Sequence, residues 1–137
     1  MEYPNRFILF ALLSLVVYLW PQPAAPQDIL PGDRAAQMVA VGNVRVEDGA
    51  ISGELVNRSS RPLRDIQLLI RYTWHWKNEF RPGKDDPGMA VYYTVDQEIA
   101  PGGAESFHYK PAQPLPSRPD GYLETTVTIA GFSEIVR

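Results

Sequence analysis

Few side chains in this sequence are of the types that carry chemistry, and their spacing does not bring them together. His75 and His108 are the two histidines, and neither stands in an H-x-x-x-H or H-E-x-x-H arrangement that would aim two imidazoles at one metal ion. Both fall on the polar parity of alternating segments, which assigns them to outward, solvated faces. Asp85 and Asp86 in RPGKDDPG, residues 81–88, supply carboxylate oxygens of the kind calcium takes, but the alternating acidic ligands and distal glutamate of a calcium loop are missing. The serines of NRSSRP sit in turn chemistry rather than in a G-x-S-x-G elbow, and no glycine-rich phosphate loop occurs. The chain has no cysteine, which removes disulfides, thiolate metal sites and a thiol nucleophile. No catalytic residue, cofactor or metal site is therefore expected, and the chain reads as a non-enzyme.

Charge excludes a further class. The net charge is −3, and the basic residues Arg58, Arg61, Arg64, Arg71, Lys77, Arg81 and Lys84 are scattered among acids, so no field gathers nucleic acid. What stands out instead is the aromatic run YTWHW with Tyr92 and Tyr93 nearby. Parity places Tyr72, Trp74 and Trp76 with the core residues. Trp76 lies where the strand gives way to KNEFRPG, and an indole at a sheet end is often half exposed and ready for a partner. Trp76, Lys77, Asn78, Glu79, Phe80 and Tyr92 are accordingly the expected partner-binding residues.

The elements that would position them are strands. Ile66, Leu68, Ile70, Tyr72, Trp74 and Trp76 alternate with polar neighbours, and the period of two marks a long half-buried strand. Ile51, Gly53 and Leu55 mark a strand before it, and NRSSRP between the two reads as a hairpin turn. The inward phase changes between Val39/Val41 and Val44/Val46, which calls for a β-bulge near Gly42 and Asn43. Asp48 and Gly49 form a tight-turn signal. Further alternation over Met89, Val91, Tyr93 and Val95, over Phe107 and Tyr109, and over Leu123, Thr125, Val127 and Ile129 brings the count to about six strands. The 13 prolines and 10 glycines suit the turns between them. The expected fold is an all-β, antiparallel immunoglobulin-like β-sandwich over residues 37–137, with no helix beyond the N-terminal segment.

Residues 7–20, FILFALLSLVVYLW, have Ser14 as their single polar side chain and partition into an apolar phase. The segment is read as an N-terminal hydrophobic helix within residues 1–20, a transmembrane anchor or a signal segment, with Phe7, Phe10, Leu13, Val17 and Trp20 among its lipid-facing residues. Its length favours a signal peptide, whereas PQPAAPQ offers poor cleavage sites and Tyr3, Tyr18 and Trp20 suit an aromatic belt. Retention is the preferred reading, with removal as the alternative. Arg6 before the segment and Asp28 and Asp33 after it place Met1 in the cytoplasm and the domain outside. Residues 21–36 begin with the proline-rich run PQPAAPQDILPG and read as a stiff spacer.

ISGELVNRSSRPLRDIQLLIRY followed by IAPGGAESFHY resembles bacterial FxLYD-type and related immunoglobulin- or fibronectin-III-like exported modules, through a G-x-x-x-N-x-S turn, a long strand and an x-P-G turn before a Phe-containing strand. The resemblance covers roughly residues 38–132 and implies an exported, often membrane-tethered accessory domain without an active site. The expected function is a non-catalytic, single-pass protein-interaction module in the bacterial inner membrane with its domain in the periplasm, meeting a protein partner and the lipid bilayer but no nucleic acid. The alternative is a periplasmic or secreted module that binds a carbohydrate or other small ligand on surface aromatics.

Overall fold

The computed structural model describes residues 32–136. The spacer up to residue 31 and the hydrophobic segment at 7–20 lie outside the described residues. A short helix, α1 (Gly32–Met38), leads into six strands: β1 (Val39–Glu47), β2 (Ala50–Asn57), β3 (Leu63–Trp76), β4 (Met89–Val95), β5 (Ala104–Tyr109) and β6 (Gly121–Glu134). The described residues are all-β apart from α1. β1, β2 and β5 form one three-stranded sheet in the order β1-β2-β5, and the other three form a second in the order β4-β3-β6, with every pairing antiparallel.

The inward residues of both sheets share one core. Ile51, Leu55 and Phe107 come from the first sheet, and Ile66, Leu68, Ile70, Tyr72, Val95 and Ile129 from the second. Each side chain of this size contributes roughly 1.5–3 kcal/mol when fully buried. Burial in β3 alternates from Ile66 to Trp74 as the sequence pattern requires, with one face in the core and the other toward solvent. Close approach is built in at Gly53: a Cβ there would lie 2.8 Å from the Phe107 ring, so the absence of a side chain seats that ring.

The β1–β2 hairpin turns through Asp48 and Gly49, whose φ values of 48° and 81° suit the primed turn that matches strand twist. The bulge expected near Gly42 is present, with the register shifting between Gly42 and Arg45 and Asn43 at φ 52°. Beyond it, Val44 and Val46 are still 44% exposed, because they lie on an edge strand that the second sheet does not fully cover. A second bulge, not anticipated from the alternation, shifts the β3–β6 register between Arg64 and Gln67 around Asp65 at φ 50°.

Two expectations are corrected. β2 and β3 are not a hairpin: they belong to different sheets, and the residues between them carry the chain from one sheet to the other. The difference lies at Asn57, whose buried side chain braces the connection through Ser59 and the Arg61 carbonyl and also donates to the Ile99 carbonyl. A helix was also not expected past the N-terminal segment, yet α1 takes up the last residues assigned to the spacer, because Ala35 is fully buried and fixes it to the core.

Tyr72 links the two sheets. Its hydroxyl donates to the Gly49 carbonyl at 2.8 Å, tying the middle of β3 to the β1–β2 turn. Burial, with a smaller contribution from nearby Tyr109, pushes its pKa up to about 12. A folded-state pKa above the unfolded value near 10 means that the native state holds a proton the unfolded chain loses. This contribution is complete below pH 10 and is lost as pH rises toward 12. Tyr72→Phe should therefore cost about 1 kcal/mol at neutral pH and abolish this part of the alkaline decline, as read by urea unfolding at pH 7 to 11. An unchanged alkaline profile would show that Tyr72 is not the group responsible.

Candidate functional site

The sheets define two poles. At one, α1, the connection from β2 to β3 and the turn before β5 come together; Asn57, Met38, Leu63 and Ile99 exchange backbone hydrogen bonds with their neighbours there. At the other lie the β1–β2 turn, the end of β3, the loop between β3 and β4, and the long connection from β5 to β6. The 14 residues of β3 run between the poles, a distance of roughly 45 Å at ~3.3 Å per residue. Residue 32, where the described chain starts, is at the first pole.

The second pole is organised by Arg118. Its guanidinium carbon lies 5.5 Å from the centroid of Trp74 and 5.3 Å from that of Trp76, and the two indoles meet edge to face at 5.9 Å. Asp120 holds the guanidinium through both carboxylate oxygens, one of them 3.0 Å from Nε. The third guanidinium nitrogen donates to the Asp85 carbonyl at 3.2 Å, and Lys77 N donates to the Asp120 carbonyl at 2.8 Å. The loop thus closes over the indoles at Gly83, where a Cβ would lie 2.6 Å from the Trp76 ring. Cation–π contacts of this kind are worth about 0.5–2 kcal/mol each, depending on how dry they are.

Trp74 is only 6% exposed and belongs with the core, as its parity predicts, and its Nε1 is buried without a partner among the described residues. Trp76 is half-buried. Lys77, Asn78, Glu79 and Phe80 continue from it into the loop and are all exposed. The Asn78 side-chain oxygen accepts from Phe80 N at 3.1 Å, and Arg81 N donates back to the Asn78 carbonyl at 3.1 Å. That small turn presents Phe80 to solvent at 98% exposure, an apolar ring held out by structured backbone. Tyr92 stands apart from this group. It is 63% exposed on the outer face of β4 and pairs with Leu69 in mid-sheet.

The other candidates do not converge. His75 lies in β3 and His108 in β5, on different sheets. His75 Nε2 is 2.6 Å from a Glu124 oxygen and its ring stacks on Tyr122 at 5.1 Å. His108 borders a shallow polar groove of about 740 Å³ on the outer face of the first sheet, with Arg45, Ser52 and Glu54. Asp86 is occupied by Gly88 N at 2.8 Å. Among the described residues no three His, Asp or Glu side chains are grouped as metal ligands, and no helix is long and apolar enough to cross a membrane. Sequence reasoning missed Arg118 and Asp120, which are distant from the indoles in the chain; the only signal was an Arg-x-Asp pair in a proline-rich connection.

Compared with known protein families, curated proteins and solved structures, the chain finds no match.

Because Arg118 covers both indoles, Arg118→Ala should shift tryptophan emission to longer wavelength as Trp76 gains water and lower stability by about 1–2 kcal/mol. Unchanged emission and melting would show that the loop holds its place without the guanidinium.

Proposed function

We propose that this protein is a non-catalytic module held at a bacterial inner membrane by residues 7–20, with its β-domain in the periplasm, and that it docks a protein partner through the loop that follows β3. The observation that carries the reading is Phe80. A ring exposed at 98% is costly to leave in water, and this one is held out by a hydrogen-bonded turn on a loop braced by Arg118 and Gly83. It also stands at the pole opposite residue 32, so a domain tethered through its N-terminal side presents Phe80 away from the tether. Lys77, Asn78 and Glu79 beside it supply a polar rim, the usual surround of a buried aromatic anchor.

An immunoglobulin-like assignment agrees with this reading. In that correspondence β1, β2 and β5 take the places of strands A, B and E, and β4, β3 and β6 those of C′, C and F. Such folds carry their binding residues on end loops more often than on sheet faces. The carbohydrate alternative needs an open indole face, and Trp76 already carries Arg118 over its ring.

The test is purification of the full-length protein from membranes with and without Phe80→Asp. The variant should melt like the wild type, since the ring touches little of its own fold, while partner association falls by roughly 30-fold, the equivalent of ~2 kcal/mol. Equal recovery of partners by both proteins would overturn the docking role of the loop. A mature chain beginning near Ala25 would overturn the anchor.

A further inference from the structure

α1 and β1 both pack against β6, and a groove of about 780 Å³ is bounded by all three. The strand registers place its two ends. At one, Val39 pairs with Asn57 and Arg58 N donates to the Met38 carbonyl, so Arg58 stands at the junction of α1 and β1. At the other, Tyr92, Leu69 and Thr128 form one cross-strand row on the outer face of the second sheet. Two strand spacings and one sheet spacing separate Tyr92 from Val39, roughly 20 Å. The wall between the ends is apolar, with Val41, Val127 and Ile129 contributing to it. Arg58 is the one charged residue of the wall. It is exposed, and its side chain has no ion-pair partner among the described residues.

We propose that this groove binds a long-chain fatty acid, with the carboxylate on Arg58 and the chain laid past Val39 and Val127 toward Leu69 and Tyr92. The volume falls in the range of about 300–1,000 Å³ usual for small-molecule sites, which are likewise apolar with a few polar groups that fix orientation. The length fits one acyl chain: the hydrocarbon core of a bilayer, about 30 Å, is two chains end to end, so one spans roughly 15 Å. That leaves room for the head group beside Arg58. The charge fits as well. A guanidinium takes a carboxylate through two parallel hydrogen bonds, and a ligand with a second charged group would find no counter-charge in this wall. A compact polar molecule would leave most of the apolar wall in water, whereas a hydrocarbon chain covers it. The groove lies away from Phe80, so this binding site is additional to the docking loop and does not rest on it.

Photolabelling of the full-length protein in nanodiscs of a zwitterionic lipid, with a diazirine-bearing palmitate and mapping by mass spectrometry, tests this. Label should fall within residues 39–41 and 127–130 and be displaced by palmitate but not by hexadecanol. It should drop at least about tenfold in Arg58→Met, which loses a charge-assisted pair. Thr128→Trp, at an exposed position of the groove wall, should remove the label by filling the space, and both variants should melt like the wild type. Label on residues 7–20 reports contact with the bilayer and is scored separately, so the groove is tested whether or not the anchor holds. Displacement by hexadecanol as readily as by palmitate, or full labelling of Arg58→Met, would overturn the fatty-acid site. So would label at the groove from a diacyl phosphatidylglycerol probe but none from the fatty acid, or a photoreactive residue placed at position 128 that cross-links to residues 1–31 in the presence of palmitate, which would make this chain its own occupant.

Discussion

The fold turns on one buried amide. Asn57 is fully enclosed at the end of β2, and every hydrogen-bonding position of its side chain is used. Its Nδ2 donates to the Arg61 carbonyl at 2.8 Å and to the Ile99 carbonyl at 2.9 Å, while its Oδ1 accepts from Ser59 N at 2.9 Å and Ser59 Oγ at 2.7 Å. The backbone of the same residue exchanges bonds with Gly102 and Gly103, and Arg58 N donates to the Met38 carbonyl. Asn57 and its neighbour Arg58 thus join the crossover that follows them to two stretches distant in the chain, the start of β1 and the turn before β5, and the Leu63–Ile99 bridge adds the start of β3. A buried network of this sort stabilises only when complete, and here it is complete.

The same residue explains where the sequence was legible and where it was not. Alternation in β3, β4, β5 and β6 could be followed residue by residue because one face of each strand meets the core. Asp48-Gly49 and the Gly42 bulge were legible because backbone geometry there demands particular residues. The crossover was not, since NRSSRP satisfies hairpin chemistry equally well and only the distant Ile99 carbonyl tells the two apart. α1 escaped notice because its seven residues are too few to show a helical period, and its place depends on burying Ala35. The candidate site divides in the same way. Trp76 and Phe80 stood out by type, whereas the Arg118 brace depends on a contact between residues far apart in sequence.

The two poles are built differently. Around Asn57 the polar groups are paired inward, and the chain is tied to itself. Around Arg118 the rings and charges also pair with one another, but they leave one large apolar side chain, Phe80, outside the arrangement. β3 sets the two poles roughly 45 Å apart, which under the proposed function places Phe80 away from the N-terminal side of the domain. The two histidines lie on different sheets, His75 beside Glu124 on the second and His108 on the first.

The most direct test of this account is the stability of Asn57→Leu, a substitution that keeps nearly the same volume and removes the amide. If the hydrogen bonds hold the crossover, equilibrium unfolding in urea should show a loss of roughly 1–3 kcal/mol, because Ser59 N is left without its partner and the Ile99 and Arg61 carbonyls each lose one of two donors. A variant within about 0.5 kcal/mol of the wild type would show that Asn57 only fills space, and the architecture would have to rest on apolar burial alone.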